Sequence, residues 1–415
     1  MCSSDLVIPS GDERDTISFR ARVLDAGSDD LVVTWWGPCT GWSPPTAYPN
    51  DPAAYPDPDP SPQVHPRDVT DEDDVSCGDN AAFSWNLRVT DDDGGVTTMS
   101  GTFSIANLPP TLTVTPPASV SVDEGTLVTL AATANDPGSD DLAFSWAWQY
   151  GPTDVHVAYN DGVGPDPAES PNGTYPFSAS DASSFTYGDD GTYTVRLIVA
   201  DDDGGSVEYT TTVQVSNVAP TVDAGADAAT DEGAVIAFSF PFSDPGFDQP
   251  AAGTVEDLVA SADWGDGTAS TLSVLEVPGG PGAPTTGTAD GWHIYADNGV
   301  YTVTVTVCDD DGGCGSDSLA VTVANVPPTV DAGADLAVDE AAGLAVVFSF
   351  TDPGFDFSPA DTVEDFTATV DWGYGPAEFP AVDEVPGSPG VPTYGTISVT
   401  HVYGDNGAFV VTVTV

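Results

Sequence analysis

Aspartate is the residue type with chemistry to offer, and it comes in sets. Asp-Asp-Asp-Gly-Gly stands at 91–95, 201–205 and 309–313, Asp-Glu at 123–124, 231–232 and 339–340, and Asp-Pro-Gly begins at Asp136, Asp244 and Asp352. Hard carboxylate oxygens in such numbers suit Ca2+, which takes about six to eight of them. Carboxylates crowded together do not all stay ionised without a cation. The competing reading is that each aspartate shapes its own turn and faces water, although turn chemistry does not need three in a row. The spaced ligand loop of an EF-hand is missing. There is no Cys-x-x-Cys and the four histidines are scattered, so no zinc site is expected. A glycosidase-like carboxylate pair is disfavoured because the acids recur at the same turns, whereas an active site normally occurs once. No Gly-x-Ser-x-Gly, His-Glu-x-x-His or phosphate loop is present, so the chain is not expected to be an enzyme.

Strands must position these acids. From Tyr301 to Val307, Tyr301, Val303, Val305 and Val307 alternate with threonines, the period of a half-buried strand. A corner (Tyr295-Ala-Asp-Asn-Gly) precedes it and an acidic turn follows it. The same device runs from Tyr187 to Gly205, from Gly78 to Gly95, and from Tyr403 to Val415, where no turn follows. Self-comparison extends the repeat: Asp244, Glu256, Trp264, Glu276, His293 and Tyr301 recur 108 residues later as Asp352, Glu364, Trp372, Glu384, His401 and Phe409. Asn-Leu-Pro-Pro-Thr, Asn-Val-Ala-Pro-Thr and Asn-Val-Pro-Pro-Thr mark junctions at 107–111, 217–221 and 325–329. Units are therefore expected at 7–107, 108–217, 218–325 and 326–415, the last short of its final hairpin. Residues 1–6, with Cys2, read as foreign to the domain, and the whole as a piece cut at both ends. Seven or so short strands per unit, a mid-chain Trp and a Tyr corner predict an all-β chain of tandem immunoglobulin-like sandwiches, beads on a string. No segment has helical periodicity.

Asp-Pro-Gly before a Trp strand, Trp264-Gly-Asp-Gly-Thr268, His293-Ile-Tyr295 and Gly299-Val-Tyr-Thr-Val303 resemble the PKD repeat. The resemblance covers the chain from about residue 10 and is strongest in the third unit. The first unit departs from it at Trp35-Trp36-Gly37, and the fourth at Trp372-Gly-Tyr-Gly375, where the Asp is lost. It implies a β-sandwich module found in tandem on bacterial surface proteins and beside secreted hydrolases, one that connects or binds.

In such a sandwich the second-to-third-strand loop and the last hairpin share one pole; the first loop and the corner before the sixth strand share the other. Stacking then brings Asp123, Glu124, Asp189 and Asp190 towards Asp244, Asp248, Asp309, Asp310 and Asp311, with the linker acid Asp223 between. By repetition, Asp136, Asp140, Asp141, Asp201, Asp202 and Asp203 belong to the preceding junction, and Asp231, Glu232, Asp297, Asp331, Asp352 and Asp356 to the following one. These are the expected Ca2+ ligands. His293 and His401 hold equivalent repeat positions, which points to packing rather than ligation.

Cys308 and Cys314 flank an acidic hairpin on opposed strands, and Cys39 and Cys77 enclose a Pro-rich insertion. Both pairs are expected as disulfides, which places the chain in an oxidising compartment. Within the insertion, Trp42, Tyr48 and Tyr55 could stack on sugar rings or build a small core of their own. Lysine is absent and the formal charge is −60, which excludes an electrostatic grip on nucleic acid or anionic lipid. No apolar run is long enough to span a membrane. The expected function is a non-catalytic, extracellular (secreted or surface-attached) spacer or adhesive stalk, a monomeric array loaded with Ca2+. It would meet an extracellular protein or polysaccharide surface. The alternative is a carbohydrate- or protein-binding accessory region of a secreted hydrolase.

Overall fold

Alternating apolar and polar residues become strands throughout. The computed structural model describes residues 10–25, 30–49, 67–164 and 175–415, and among them every regular element is a strand. Tyr55 and residues 1–6 of the sequence analysis lie outside the described residues.

The chain divides into two compact units. One contains the described residues up to Val122, with Val128–Phe185 and Thr192–Gln214; the other contains Asp123–Leu127, Thr186–Gly191 and Val215–Val415.

Within the second unit, residues 218–325 show the architecture most fully. One sheet orders Thr221–Val222, Val235–Asp244, Thr285–Ile294 and Ser273–Val277; the other orders Ala228–Asp231, Cys314–Ala324, Gly299–Cys308, Val259–Asp263 and Ala269–Thr271. The pairings are antiparallel except for Ala228–Asp231 on Cys314–Ala324, which is parallel. Val303, Val305 and Val307 are fully buried between the sheets, whereas Tyr301 is half-buried at the margin. They pack with Phe240, Phe242, Trp264, Leu319, Val321 and Val323. Burying side chains of this size contributes about 1.5–3 kcal/mol each, so this core, not any single turn, holds the sandwich. The corner is fixed by Tyr295, whose hydroxyl donates to the Trp264 carbonyl at 3.0 Å.

Residues 326–415 repeat the plan with less of it. Thr329–Asp331, Gly343–Asp352, Thr393–Val402 and Asp383–Val385 form one sheet, but the facing sheet is two strands, Thr369–Asp371 and Thr412–Thr414. Trp372 is fully buried and Tyr403 donates to its carbonyl at 3.1 Å, as at the preceding corner.

In the first unit, Thr16–Asp25 pairs with Arg67–Ser76 over ten residues, facing a five-stranded sheet around Ala81–Asp91. Phe19, Trp35, Trp85 and Phe103 form its aromatic core. The following sandwich has a five-stranded sheet containing Leu142–Trp148 and Gly191–Ala200, opposite a three-stranded one containing Leu127–Asp136.

Sulphur atoms of Cys308 and Cys314 are bonded across a directly opposed strand pair, with Cα atoms 4.1 Å apart. Cys39 is bonded to Cys77 with Cα atoms 4.8 Å apart. The described part of the insertion is packed. The Trp42 ring lies 5.3 Å from Phe19, and the Tyr48 hydroxyl donates to buried Asp71 at 2.6 Å, beside the Trp35 indole on the same carboxylate. Ser43 donates to buried Asp73 through both its amide and its hydroxyl. Trp42 and Tyr48, both half-buried, thus pack against the core of the first sandwich.

Candidate carboxylate sites at the sandwich poles

Turn chemistry explains one oxygen of most of these acids. The first aspartate of each Asp-Asp-Asp-Gly-Gly accepts the amide of the second glycine: Asp91 from Gly95, Asp201 from Gly205 and Asp309 from Gly313, at 2.5–2.6 Å. Asp136, Asp244 and Asp352 likewise accept the amides of Gly138, Gly246 and Gly354 at 2.7–2.8 Å. These loops are built by local carboxylate-to-amide bonds, as aspartate-rich turns are.

The glutamate of each Asp-Glu turn does something longer in range. Glu13, Glu124 and Glu232 accept the amides of Leu108, Val218 and Val326, each the residue after the linker asparagine. Their own amides donate to the carbonyls of Ala106, Ser216 and Ala324, where the last strand ends. The glutamate is a clamp that holds the departing chain against the first turn of the same repeat.

The other oxygens of these acids are the chemically loaded ones. Glu124 Oε2, Asp244 Oδ2, Glu256 Oε1 and Asp309 Oδ2 are buried without a hydrogen-bond partner among the described residues. All four side chains are under a tenth exposed. Burial, then the charges of Asp244 and Glu124, pushes Glu256 up to about 9; burial, opposed by the Val218 amide, leaves Glu124 at about 7. Ligand oxygens of Glu124, Asp189 and Asp311 lie within 4.8 Å of one another. Asp311 is pushed up to about 6 by burial and by Asp190 and Asp189. All of these residues belong to the second unit. There the Phe247 amide also donates to the Gly188 carbonyl at 2.8 Å, joining the Asp-Pro-Gly loop to the corner that carries Asp189. A parallel set, Glu232, Asp297 and Glu364, recurs with Phe355 donating to Ala296; burial and neighbouring Asp352 raise Glu364 to about 7.

In the first unit the acids form two overlapping groups: Glu13, Asp79, Asp140 and Asp203, and Asp136, Asp140 and Asp201. Burial, followed by the charges of Glu13 and Asp136, raises Asp140 to about 9. Glu13 rises to about 7 and Asp136 to about 6, both chiefly by burial.

The sequence-predicted ligands therefore separate. Glu124, Asp136, Asp140, Asp189, Asp201, Asp203, Glu232, Asp297 and Asp311 lie in the groups, with Asp244, Asp309, Asp310, Asp190 and Asp352 acting on them by charge. Asp248 and Asp356 spend an oxygen on the amides of Glu256 and Glu364; Asp202 receives the amide of Asp141, which in turn receives that of Asn160. Asp123, Asp223, Asp231 and Asp331 are exposed, and Asp223 and Asp331 cap Gly225 and Gly333. Asp223 stands apart from the carboxylate groups, exposed in the linker with one oxygen on the Gly225 amide.

Four residues were missed. Glu13 is the Asp-Glu position of the first repeat, disguised by Arg14 in place of glycine; Asp79 sits in the Gly78-Asp-Asn80 corner. Glu256 and Glu364 recur 108 residues apart, a signal that carried no chemical role until their burial was known. Glu256 stands among the same kinds of neighbour as Asp140, although it comes from a different place in the repeat.

His293 is a packing residue. Its ring stacks on Trp264 at 4.9 Å, meets Tyr295 edge-on, and places Nε2 2.6 Å from buried Asp266, which also caps Thr268. That network is the reason for the Trp-Gly-Asp-Gly-Thr motif. His401 stacks on Trp372 at 4.4 Å in the same way.

Two family profiles match the chain, both described as PKD domain, over residues 111–215 and 217–323, together about half of it. No curated protein matches. Among solved structures, the chain is similar to a tetra-tandem repeat in the extending region of a large adhesion protein (15% identity, 95% of this chain and 90% of that one, TM-score 0.35). It is also similar to Dpr2 Ig1-Ig2 in complex with DIP-Theta Ig1-Ig3 (10% identity, 78% and 99%, TM-score 0.25). Likeness at this level carries no statement about ligands or domain arrangement.

Proposed function

We propose, for a chain that belongs to the PKD-domain family, that it serves as a non-catalytic extracellular spacer or adhesive stalk whose sandwich poles are closed by Ca2+. The observation that carries this reading is that Glu124, Asp244, Glu256 and Asp309, whose charges act on one another, are each buried with an oxygen that no described protein group satisfies. Burying several carboxylates without counter-charge is costly, and the chain has six cationic side chains against 66 acids to offer in return. Ca2+ supplies the charge and accepts these oxygens at about 2.3–2.6 Å. A linker amide held by Glu124 would then be locked by the same ion that Glu124 helps to bind.

The test is thermal. Ca2+ that binds only the folded form raises the midpoint with concentration. The wild-type chain should melt higher in millimolar Ca2+ than in NaCl of equal ionic strength, with slower amide exchange at Val218. Replacing Asp309, Asp310 and Asp311 by Asn keeps the turn-capping oxygen and should remove the Ca2+ effect at Val218. Equal effects of NaCl and Ca2+ would reduce the acids to a screened surface and sink the proposal.

A further inference from the structure

In the first unit, unlike the second, two carboxylate groups share a residue. Glu13, Asp79, Asp140 and Asp203 bring ligand oxygens within 4.8 Å of one another, and so do Asp136, Asp140 and Asp201. Two oxygens on one Ca2+ are at most about 5 Å apart, so each group has the span of a single ion's shell. Asp140 belongs to both, and it is 1% exposed.

A second observation points into each group. Glu13 Oε1 in the first, Asp136 Oδ2 in the second and Asp140 Oδ2 in both are buried without a hydrogen-bond partner among the described residues. Their side chains are 2%, 0% and 1% exposed. The remaining oxygens of Glu13 and Asp136 are committed to the amides of Leu108 and Gly138. What is left over in each group is an oriented carboxylate oxygen that no described hydrogen-bond donor meets. The two groups contain six different carboxylates. One dication would leave most of that charge uncompensated in a buried place, whereas two reduce it to a remainder that amide donors can carry.

Resting on the Ca2+ reading above, we infer that the first unit binds two Ca2+ ions side by side, bridged by the Asp140 carboxylate, with Glu13 a ligand of one ion and Asp136 and Asp201 ligands of the other. The bridge explains why Asp140 is retained beside Asp141: one aspartate serves the loop, accepting the Asn160 amide, and the other serves the ions. In the second unit the position corresponding to Asp140 is Asp248, which spends one oxygen on the Glu256 amide and lies in neither carboxylate group there, and those two groups share no residue. A bridged pair is therefore a property of the first unit.

The experiment counts Ca2+ bound per full chain by equilibrium dialysis, with Ca2+ as the sole probe. Asp140→Asn should lower the count by two relative to wild type, whereas Glu13→Gln and Asp201→Asn should each lower it by one. Both single variants keep an oxygen for their backbone partners, Leu108 and Gly205, and Asp201→Asn gives up only the Asn107 side-chain amide that the second Asp201 oxygen accepts. Loss of one ion or none in Asp140→Asn overturns the bridge. Should that variant not fold, the pair Glu13→Gln and Asp201→Asn still decides: together they should remove two ions, and either one removing both or neither overturns the assignment. A wild-type chain that binds no Ca2+ sinks the Ca2+ reading itself, an outcome distinct from loss of the bridge alone.

Discussion

A buried acid without a counter-ion prefers its proton, and that preference sets a pH dependence. Glu13 and Glu124 are held at about 7 and Asp140 and Glu256 at about 9, in each case chiefly by burial. The folded pKa is raised above the ordinary value, so the folded state binds the proton more tightly. Stability from this source is full below about pH 4, and it is lost as pH rises through 7 and then 9. In EDTA the thermal midpoint should therefore fall between pH 5 and pH 9. Saturating Ca2+ binds the ionised form, so it should flatten or reverse that slope. A midpoint independent of pH in EDTA would mean that these carboxylates are solvated after all.

At the scale of turns and strands, the Asp-Glu-Gly turn shows why glycine is used where it is. The third position has φ of 69° at both Gly125 and Gly233, yet Arg14 and Ala341 hold 67° and 63° at the same place in their repeats. A left-handed backbone alone does not demand glycine here. The demand comes from approach: a Cβ on Gly233 would lie 2.3 Å from the Pro353 carbonyl oxygen, and on Gly125 2.4 Å from that of Pro245. Gly233→Ala should therefore loosen the contact between the turn and the Asp-Pro-Gly loop, seen as faster exchange at Val326 and Phe355. Ala341→Gly should change stability by less than about 1 kcal/mol. Equal effects at the two positions would return the explanation to φ. A second expectation concerns sheet size. Gly299–Cys308 is paired on both sides along a five-stranded sheet, whereas Thr412–Thr414 has three residues and one partner. Amides of 326–415 should exchange well before those of 218–325, since local opening follows the number of paired and buried neighbours. Matching protection would show that the smaller sheet is no weaker.

For the molecule as a whole, the relevant quantity is a formal charge of −60 on 415 residues. Self-repulsion of that size opposes every compact state and is screened by any salt. Monovalent salt should raise the midpoint steeply at low ionic strength and then level off once the Debye length falls to about 8 Å near 0.15 M. The increment from Ca2+ should persist above that plateau, because ligated ions act at buried groups that bulk screening reaches poorly. If the Ca2+ increment vanishes on the plateau, charge screening accounts for all of the cation dependence. Among the described residues no helix is long and apolar enough to cross a membrane.

Much of this protein is written locally. Alternation of Val303, Val305 and Val307 with threonines, glycine-closed acidic turns and a 108-residue recurrence depend on neighbours in the chain, and they specify strands, hairpins and the sandwich plan without further help. The same local chemistry accounts for the turn-capping oxygens of Asp201, Asp244 and Asp309. What the sequence could not settle was which acids lose water. Asp223 reads as an expected ligand and Glu256 only as a recurring position, yet the first faces solvent and the second is buried among Asp244, Glu124, Asp310 and Asp309. Burial is a property of what packs over a residue. It is decided by loops more than a hundred residues apart, as when Glu13 meets Asp140 or Glu124 meets Asp311. Tertiary packing alone likewise turned Trp42 and Tyr48 inward, since an aromatic side chain in a proline-rich loop has no local reason to prefer core over solvent.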